Sequence, residues 1–550
     1  MLSNTDALVG RTTQYGLPAF LLAVPWLNPI TYGPVLPMVQ ALVTACVLGA
    51  VGVYWVVLGT SLQDRARSVL LSWLLAAVIS AVLGLLQYFG WAGELGPWVN
   101  FTGPGEAFAN LRQRNQLATL LAIGLVALCG LHRLPKLDKS TSISATYQLG
   151  ATAPFARPIR PATWALYGVV LLLSTAVVAT GSRTGLVQWM LLGAVAVWPT
   201  RGWRARLRGC RPKRDLATPT LKSPFPADWM RAVWRPRGRT LILFACACYV
   251  LAALVLPRLW THADGGILRR LEAGESGCQS RLTMWSNVAQ LISLKPWTGW
   301  SELAYAHLDT LYQGPRFCEI LGNAHNLPLH LAVSFGLPFA VILCVAFFGI
   351  LWRARPLAEH EPVRQSAWWA LTLMFLHSMV EYPLWYAPFQ SALLLAVVVL
   401  CTVPRSPSGS GAPRLPERRR MDAVLVGLAI ATWTICAYVG WDYWRVSQIY
   451  LPVSQRAQAY RDNTLNKISN TWLFQNQVKF AELGITPLAP SNAEHINALA
   501  KEMLHFSPEA SVLVKVIDSA LLLGQAEEAA FYETRFQIAY PQEYAVWKTK

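Results

Sequence analysis

Four short stretches hold the residues able to do chemistry. Arg183 sits in Gly181-Ser182-Arg183-Thr184-Gly185, and Arg281 in Ser280-Arg281-Leu282-Thr283-Met284-Trp285. His325-Asn326 precedes a long apolar run, and His377 and Glu381 share the run from His377 to Tyr386. The surroundings of each are apolar enough that an ionisable side chain there points to function. Two planar guanidinium forks suit a pyrophosphate, which accepts paired hydrogen bonds. A histidine can take the proton of an attacking hydroxyl, and a pyrophosphate leaves readily once its growing charge is held. His377 and Glu381, four apart, are expected on one helix face at the end of a span, as site residues or as a plain structural pair.

What positions these groups is a membrane-embedded chain. The 550 residues are 54% hydrophobic and only 14% charged, with a mean hydropathy of +0.34. Apolar runs long enough for transmembrane helices, which need about 20 residues, are expected near Tyr15–Ile30, at Val35–Gly59, Val69–Phe89, Leu117–Leu131, Trp164–Ala179, Leu186–Trp198 and Leu241–Leu256, and then at Leu327–Leu351, Trp368–Val380, Leu384–Val403 and Ala423–Gly440. That is about eleven spans. The net charge of +18 excludes a nucleic-acid role by its placement, because the arginines and lysines gather in alternate loops: Arg65 and Arg67; Arg133 to Arg160; Arg201 to Arg239; Arg353 to Arg364; Arg405 to Arg420. The positive-inside rule puts all five in the cytoplasm. The N-terminus is then inside, and Trp91–Arg114, Thr180–Thr184, Pro257–Asn326, Glu381–Pro383 and the tail after Gly440 lie outside. Met1–Arg11 is polar and the first apolar run has no small-residue cleavage site, so that run is expected to remain as a span.

Ten cysteines form no Cys-x-x-Cys pair and no metal-ligand spacing. Cys278 and Cys318 alone fall in segments placed outside, an oxidising compartment, and are expected to be joined. The external stretch Trp91–Arg114 is rich in Gly, Pro and aromatics and should lie along the membrane surface or dip into it. Arg112 and Arg114 at its end could meet an anionic head group or simply snorkel. Two domains are expected: a transmembrane part, 1–440, with the large loop 257–326, and a helical tail, 441–550. A Ser/Gly/Pro-rich linker, Pro404–Pro416, precedes the last span. In the tail, Ser491-Asn492-Ala493-Glu494 reads as a capping box and Ser507-Pro508 as a helix start. Gly524 and Pro541 punctuate a tetratricopeptide-style hairpin suited to contacting a partner.

The ordered set Arg114-Asn115-Gln116-Leu117-Ala118, Gly181–Gly185, Ser280–Trp285, His325-Asn326-Leu327 and His377-Ser378…Glu381-Tyr382-Pro383-Leu384 resembles the O-antigen ligase/polymerase superfamily. The first and last elements and the tail are similar to its pilin O-oligosaccharyltransferase branch (PglL/PilO type). The resemblance implies an all-α, GT-C-like polytopic bundle in the bacterial inner membrane, with its active site facing the periplasm. It implies a glycosyltransferase needing no metal and no cofactor, which moves an oligosaccharide from undecaprenyl pyrophosphate to a Ser or Thr hydroxyl of a periplasmic protein such as pilin. His325 would be catalytic and Arg183 and Arg281 would hold the pyrophosphate. Arg112, Arg114, Asn326, His377, Glu381 and Tyr382 would lie near the site. An O-antigen ligase or polymerase shares much of this constellation. A lipid-linked sugar transporter should instead show inverted repeats, broken helices and midplane charges, whereas these charges gather at the external ends of spans.

The loop assignment predicts that a phosphatase fused after Gly265 is active and one fused after Arg214 inactive. The reverse pattern would remove the extracytoplasmic placement of the site.

Overall fold

The computed structural model describes residues 2–134, 161–197, 236–259, 267, 270–271, 277–405 and 415–549. The basic stretches at 135–160 and 198–235, the linker at 406–414 and the fusion points Arg214 and Gly265 lie outside them. Among the described residues every regular element is helical. The first half comprises α1 Leu2–Leu27, α2 Met38–Val57, α3 Leu62–Tyr88, α4 Arg114–Arg133, α5 Pro161–Ala179, α6 Arg183–Val197 and α7 Pro236–Leu259. There follow α8 Arg281–Leu294, α9 Leu303–Asp309, α10 Leu327–Phe335, α11 Leu337–Ala354, α12 Pro362–Ser378, α13 Ala387–Thr402 and α14 Leu415–Ser447. The tail holds α15 Thr464–Ile468, α16 Gln475–Ile485, α17 Ala493–Phe506, α18 Ala510–Leu522, α19 Ala526–Ala539 and α20 Pro541–Lys548.

By length and composition, six of these helices can cross a membrane: α2, α3, α4, α7, α11 and α14. Three shorter ones, α5, α6 and α13, are also apolar. Helix α4 runs through the middle, its residues from Gln116 to Gly130 all buried. Small residues let its neighbours come close. A side chain on Gly124 would strike Ala77 of α3, and one on Gly130 would strike Ser366 of α12, which is how membrane helices gain contact where lipid is as apolar as leucine. Helix α12 carries the polar turn Arg364-Gln365-Ser366, all buried. Arg364 pairs there with the buried Glu359 at 2.7 Å.

The expected span Leu327–Leu351 is two helices. Gly336, at φ +87°, separates α10 from α11, and Pro338 starts the second. The break is filled by the turn Lys295–Ser301. Trp300 N donates to Val333 O at 2.8 Å, Ser301 N to Ser334 O at 3.0 Å and Leu337 N to Pro296 O at 2.8 Å. Gly299 and Gly336 permit this approach, since a Cβ on either would lie within 2.5 Å of the other strand's backbone. Helix α10 thus packs with α8 and α9 in one small core that includes Met284, Val288, Leu303 and Val333, while α11 exposes Ile342, Val345, Phe348 and Ile350.

The segment between α3 and α4 is folded onto the helix ends by two buried amides. Gln87 Nε2 donates to Asn100 O and Ala109 O, and its Oε1 accepts from Phe108 N and Ala109 N. Asn110 donates to Leu27 O at 2.7 Å and Trp98 O at 3.0 Å. In the tail, α17 begins at Ala493 and not at a Ser491 cap: Ser491 belongs to a 3-10 turn and Asn492 takes the amide of Ala489 at 2.8 Å. Helix α18 begins at Ala510, two residues after Pro508, because Ser507 hydrogen-bonds the side chain of Glu509 at 2.8 Å instead of a helical amide. The tail's core takes in Leu308 of α9. Arg535 pairs with Asp309 at 3.2 Å, and His505 stacks on Tyr305.

Cys278 and Cys318 are bonded, with Cα atoms 5.2 Å apart. Denatured protein should therefore expose both thiols to labelling only after reduction. Gly336→Ala should lower stability by about 1–3 kcal/mol, the scale of a forced backbone conformation, measured as a lower thermal midpoint in detergent. Gly349→Ala, in a helix with open space around it, is the control and should cost nothing.

Candidate active site

Each segment singled out from the sequence arrives at one end of the bundle for a local reason. Gly181, at φ +58°, turns the chain from α5 into α6. Ser182 then caps α6, accepting from Gly185 N at 2.9 Å while donating to Asn115 Oδ1 at 2.6 Å. Ser280 caps α8 by accepting from Thr283 N at 3.1 Å, which sets Arg281 as the first helical residue. Asn326 caps α10, its Oδ1 accepting from Leu329 N at 3.1 Å, and its Nδ2 donates to Met379 O at 3.0 Å. That bond ties the loop to the end of α12. His325, one residue earlier, is held at φ +49°, with its amide on Asn323 Oδ1 at 2.9 Å. Non-glycine residues held there often sit at functional sites.

These groups meet on Glu381, which is 4% exposed. Its Oε2 lies 2.8 Å from His325 Nδ1 and accepts from Gln113 Nε2 at 3.1 Å. Its Oε1 accepts from Asn115 Nδ2 at 3.2 Å and from Arg281 Nη2. Burial alone would push this carboxyl up, but the His325 hydrogen bond and the Arg281 charge outweigh it and hold the group at about 2. Glu381 is therefore ionised at neutral pH and can only accept. The proton between it and His325 sits on Nδ1, leaving Nε2 as the basic nitrogen.

Beside this hub opens a cavity of about 410 Å³ lined by Arg114, Arg183, Arg270, Arg281, Asn115 and Glu381, among others. Arg183 Nη2 donates to Arg270 O at 2.7 Å and Arg270 Nη1 to Gly181 O at 3.0 Å, so the two hold one another in place. Arg114 pairs with Glu106 at 2.6 Å. Arg281 Nη1 is buried without a hydrogen-bond partner among the described residues. Such a set of fixed donors can bind a multiply charged anion. A smaller pocket of about 190 Å³ is lined by His325 itself with Arg281, Gln279, Phe317, Glu319 and Asn323.

Two placements differ from expectation. His377 and Glu381 do not share a helix face, because α12 ends at Ser378. Only backbones connect them, with Glu381 N on His377 O at 2.9 Å. The His377 side chain turns inward to Thr119 at 3.0 Å, which also accepts from Gln188 at 2.9 Å. Arg112 does not join Arg114: its Nη2 reaches Pro29 O at 3.0 Å and Thr31 Oγ1 at 2.9 Å, in a separate cavity. Tyr382 stands edge-on to the His325 ring at 4.8 Å. Sequence reasoning missed Arg270, Gln113 and Asn323. Arg270 lies in the polar run Arg269-Arg270-Leu271-Glu272, where nothing separates it from a solvated charge. Among the described residues no group of three or more His, Cys, Asp or Glu could hold a metal ion.

Comparison with known proteins adds an independent line. Residues 168–344 match the family described as O-Antigen ligase, residues 365–550 the C-terminal part of a membrane-bound polymerase described as a virulence factor, and residues 107–132 a protein glycosylation ligase. A general O-oligosaccharyltransferase of Acinetobacter baylyi (strain ATCC 33305 / BD413 / ADP1) is 23% identical over 347 residues, 60% of this chain and 50% of that protein. The chain thus spans about half the length of the curated relative it matches. No solved structure matches. The matched segments contain Arg114, Arg183, Arg281, His325 and Glu381, the residues that the fold gathers, and the chain is a multi-pass membrane protein similar to the O-antigen ligase superfamily and to its protein O-oligosaccharyltransferase branch.

Proposed function

We propose that this protein transfers an oligosaccharide from a polyprenyl-pyrophosphate carrier, undecaprenyl pyrophosphate in bacteria, to a Ser or Thr hydroxyl of a periplasmic protein, pilin being one candidate acceptor. The observation that carries this reading is the buried Glu381 carboxylate, which holds a histidine and an arginine at the edge of a four-arginine cavity. The pyrophosphate occupies that cavity, with Arg183 and Arg281 on its oxygens and the unpartnered Arg281 Nη1 as a ready donor. The acceptor hydroxyl enters through the small pocket lined by His325, gives its proton to His325 Nε2 and attacks the anomeric carbon. The bond from that carbon to the pyrophosphate oxygen breaks, and the arginines hold the charge that develops. Glu381 orients the imidazole and stabilises it once protonated, a role that does not require moving the proton further. We place about eleven spans in an inner membrane, with this end outside and the tail forming a periplasmic helical domain. The reaction as written needs no metal and no cofactor.

Purified protein with lipid-linked donor and acceptor protein tests the roles. His325→Ala should lose about 10²–10⁴-fold in turnover, the usual worth of a general base, with the Cys278–Cys318 bond still formed. Arg281→Lys keeps the charge but not the fork and should be strongly impaired. Near wild-type turnover in His325→Ala would sink the base assignment, and modification of a lipid instead of a protein in a deletion-strain comparison would move the reading to an O-antigen ligase.

The depressed Glu381 carboxyl also predicts a pH dependence. Folding holds it at about 2 against an ordinary 4.5, so its stabilisation is complete above about pH 4.5 and is lost as pH falls through about 2. Thermal midpoints between these limits should fall in wild-type protein and fall less in Glu381→Gln.

A further inference from the structure

A second cavity, of about 380 Å³, is lined by Tyr382, Trp385 and Tyr386 together with Asn28, Asn110 and Arg112. His325 touches the lining of both large cavities: it hydrogen-bonds Glu381 of the arginine cavity and meets the ring of Tyr382 in this one. Its aromatic side is ordered, with Tyr382 and Tyr386 stacked 6.0 Å apart at 19°. Trp385 is edge-on to Tyr382 at 6.4 Å and 45% exposed. Its polar side is built as deliberately. Arg112 is held at φ +61° and spends Nη2 on Pro29, Thr31 and Asn100, leaving its other guanidinium nitrogens without a partner among the described residues. Asn28 Oδ1 accepts from Ile30 N at 3.0 Å while its Nδ2 is buried beside the cavity with no partner among the described residues.

An aromatic face beside amide and guanidinium donors matches one chemistry closely. A pyranose presents a face of C–H groups that lies flat on a ring, and a rim of hydroxyls that accept from amide and guanidinium N–H. The volume is of the size that small ligands occupy. A polyisoprenyl chain could also fill an apolar cleft, but it would offer no acceptor to Asn28 Nδ2 or to the remaining Arg112 nitrogens, a costly arrangement against hydrocarbon. Resting on the transferase reading, we propose that this cavity is a carbohydrate subsite that grips the glycan being transferred, with Trp385 as its stacking platform and Arg112 as its polar anchor. The sugar then extends past Tyr382 while its pyrophosphate lies among the arginines. His325 stands where the bond between them breaks.

The test uses the oligosaccharide released by mild acid from the host's own lipid-linked pool, observed by saturation-transfer NMR with the purified full-length protein in detergent. Wild type and His325→Ala should both transfer saturation to the sugar protons. Trp385→Ala should lose it, and Trp385→Phe, which keeps a stacking face, should regain it. In the transfer assay Trp385→Ala should raise KM for the full donor about tenfold, the scale of one aromatic contact, with kcat within about twofold. Equal sugar signal in wild type and Trp385→Ala, no signal in wild type, or displacement of the sugar by geranylgeraniol would overturn the subsite. A Trp385-dependent sugar signal in a wild-type protein that transfers nothing would instead retain the subsite and refute the transferase reading.

Discussion

A carboxylate at 4% exposure at the end of a membrane bundle is tolerated only if every lone pair is met, and Glu381 meets that condition with donors from three separate regions. Gln113 and Asn115 come with α4, Arg281 with α8 and His325 with the approach to α10. Each donor alone would be an ordinary polar contact. Together they make the positions of these elements interdependent, because removing one leaves charge buried and underpaired, which costs far more than the lost bond. The same condition fixes the histidine's tautomer, so the electrostatics that hold the fold together at this end also prepare the nitrogen that would act.

That convergence needs a rigid loop, since Arg281 and His325 are 44 residues apart in a segment outside the core bundle. Rigidity comes from two sources. The Cys278–Cys318 bond joins the residues just before α8 to those just before His325, and the Lys295–Ser301 turn is hydrogen-bonded into the break between α10 and α11. Asn326 on Met379 O then docks the loop onto α12. The tail adds a brace from the far side, through Arg535 on Asp309 and His505 on Glu302 at 2.7 Å. The helical tail is thus packed on the site-bearing loop.

How much of this was legible in the sequence depended on contrast. Arg183, Arg281 and His325 stood out because each interrupts an apolar neighbourhood, and the fold brings all three to one place. The helices themselves followed from apolar runs, but the long run after His325 concealed a break, because Gly336-Leu337-Pro338 is apolar enough to pass for continuous helix while φ +87° is available only to the glycine. Glu381 was visible as a charge yet misplaced as the helical partner of His377. The helix ends at Ser378, and the sequence marks that end only by Pro383, five residues on. Arg270 was lost among neighbouring charges. The sugar-sized cavity could not be read at all, since its walls come from the α1–α2 connection, residues 110–112 and residues 382–386, segments far apart in the chain.

A broken helix is one of the features transporters use, and α10–α11 is such a break. What matters is what fills it. In a transporter the freed backbone groups at a break are available to substrate or ion, near the middle of the membrane. Here they are spent on the protein itself, Val333 O and Ser334 O accepting from Trp300 N and Ser301 N and Leu337 N donating to Pro296 O. The break also lies outside the span, since α11 alone has 18 residues and so is about 27 Å long, close to the roughly 30 Å of a hydrocarbon core. A joint closed by its own backbone serves to hold still the loop that carries Arg281 and His325, and these groups gather with Glu381 at one end of the bundle and not at its middle.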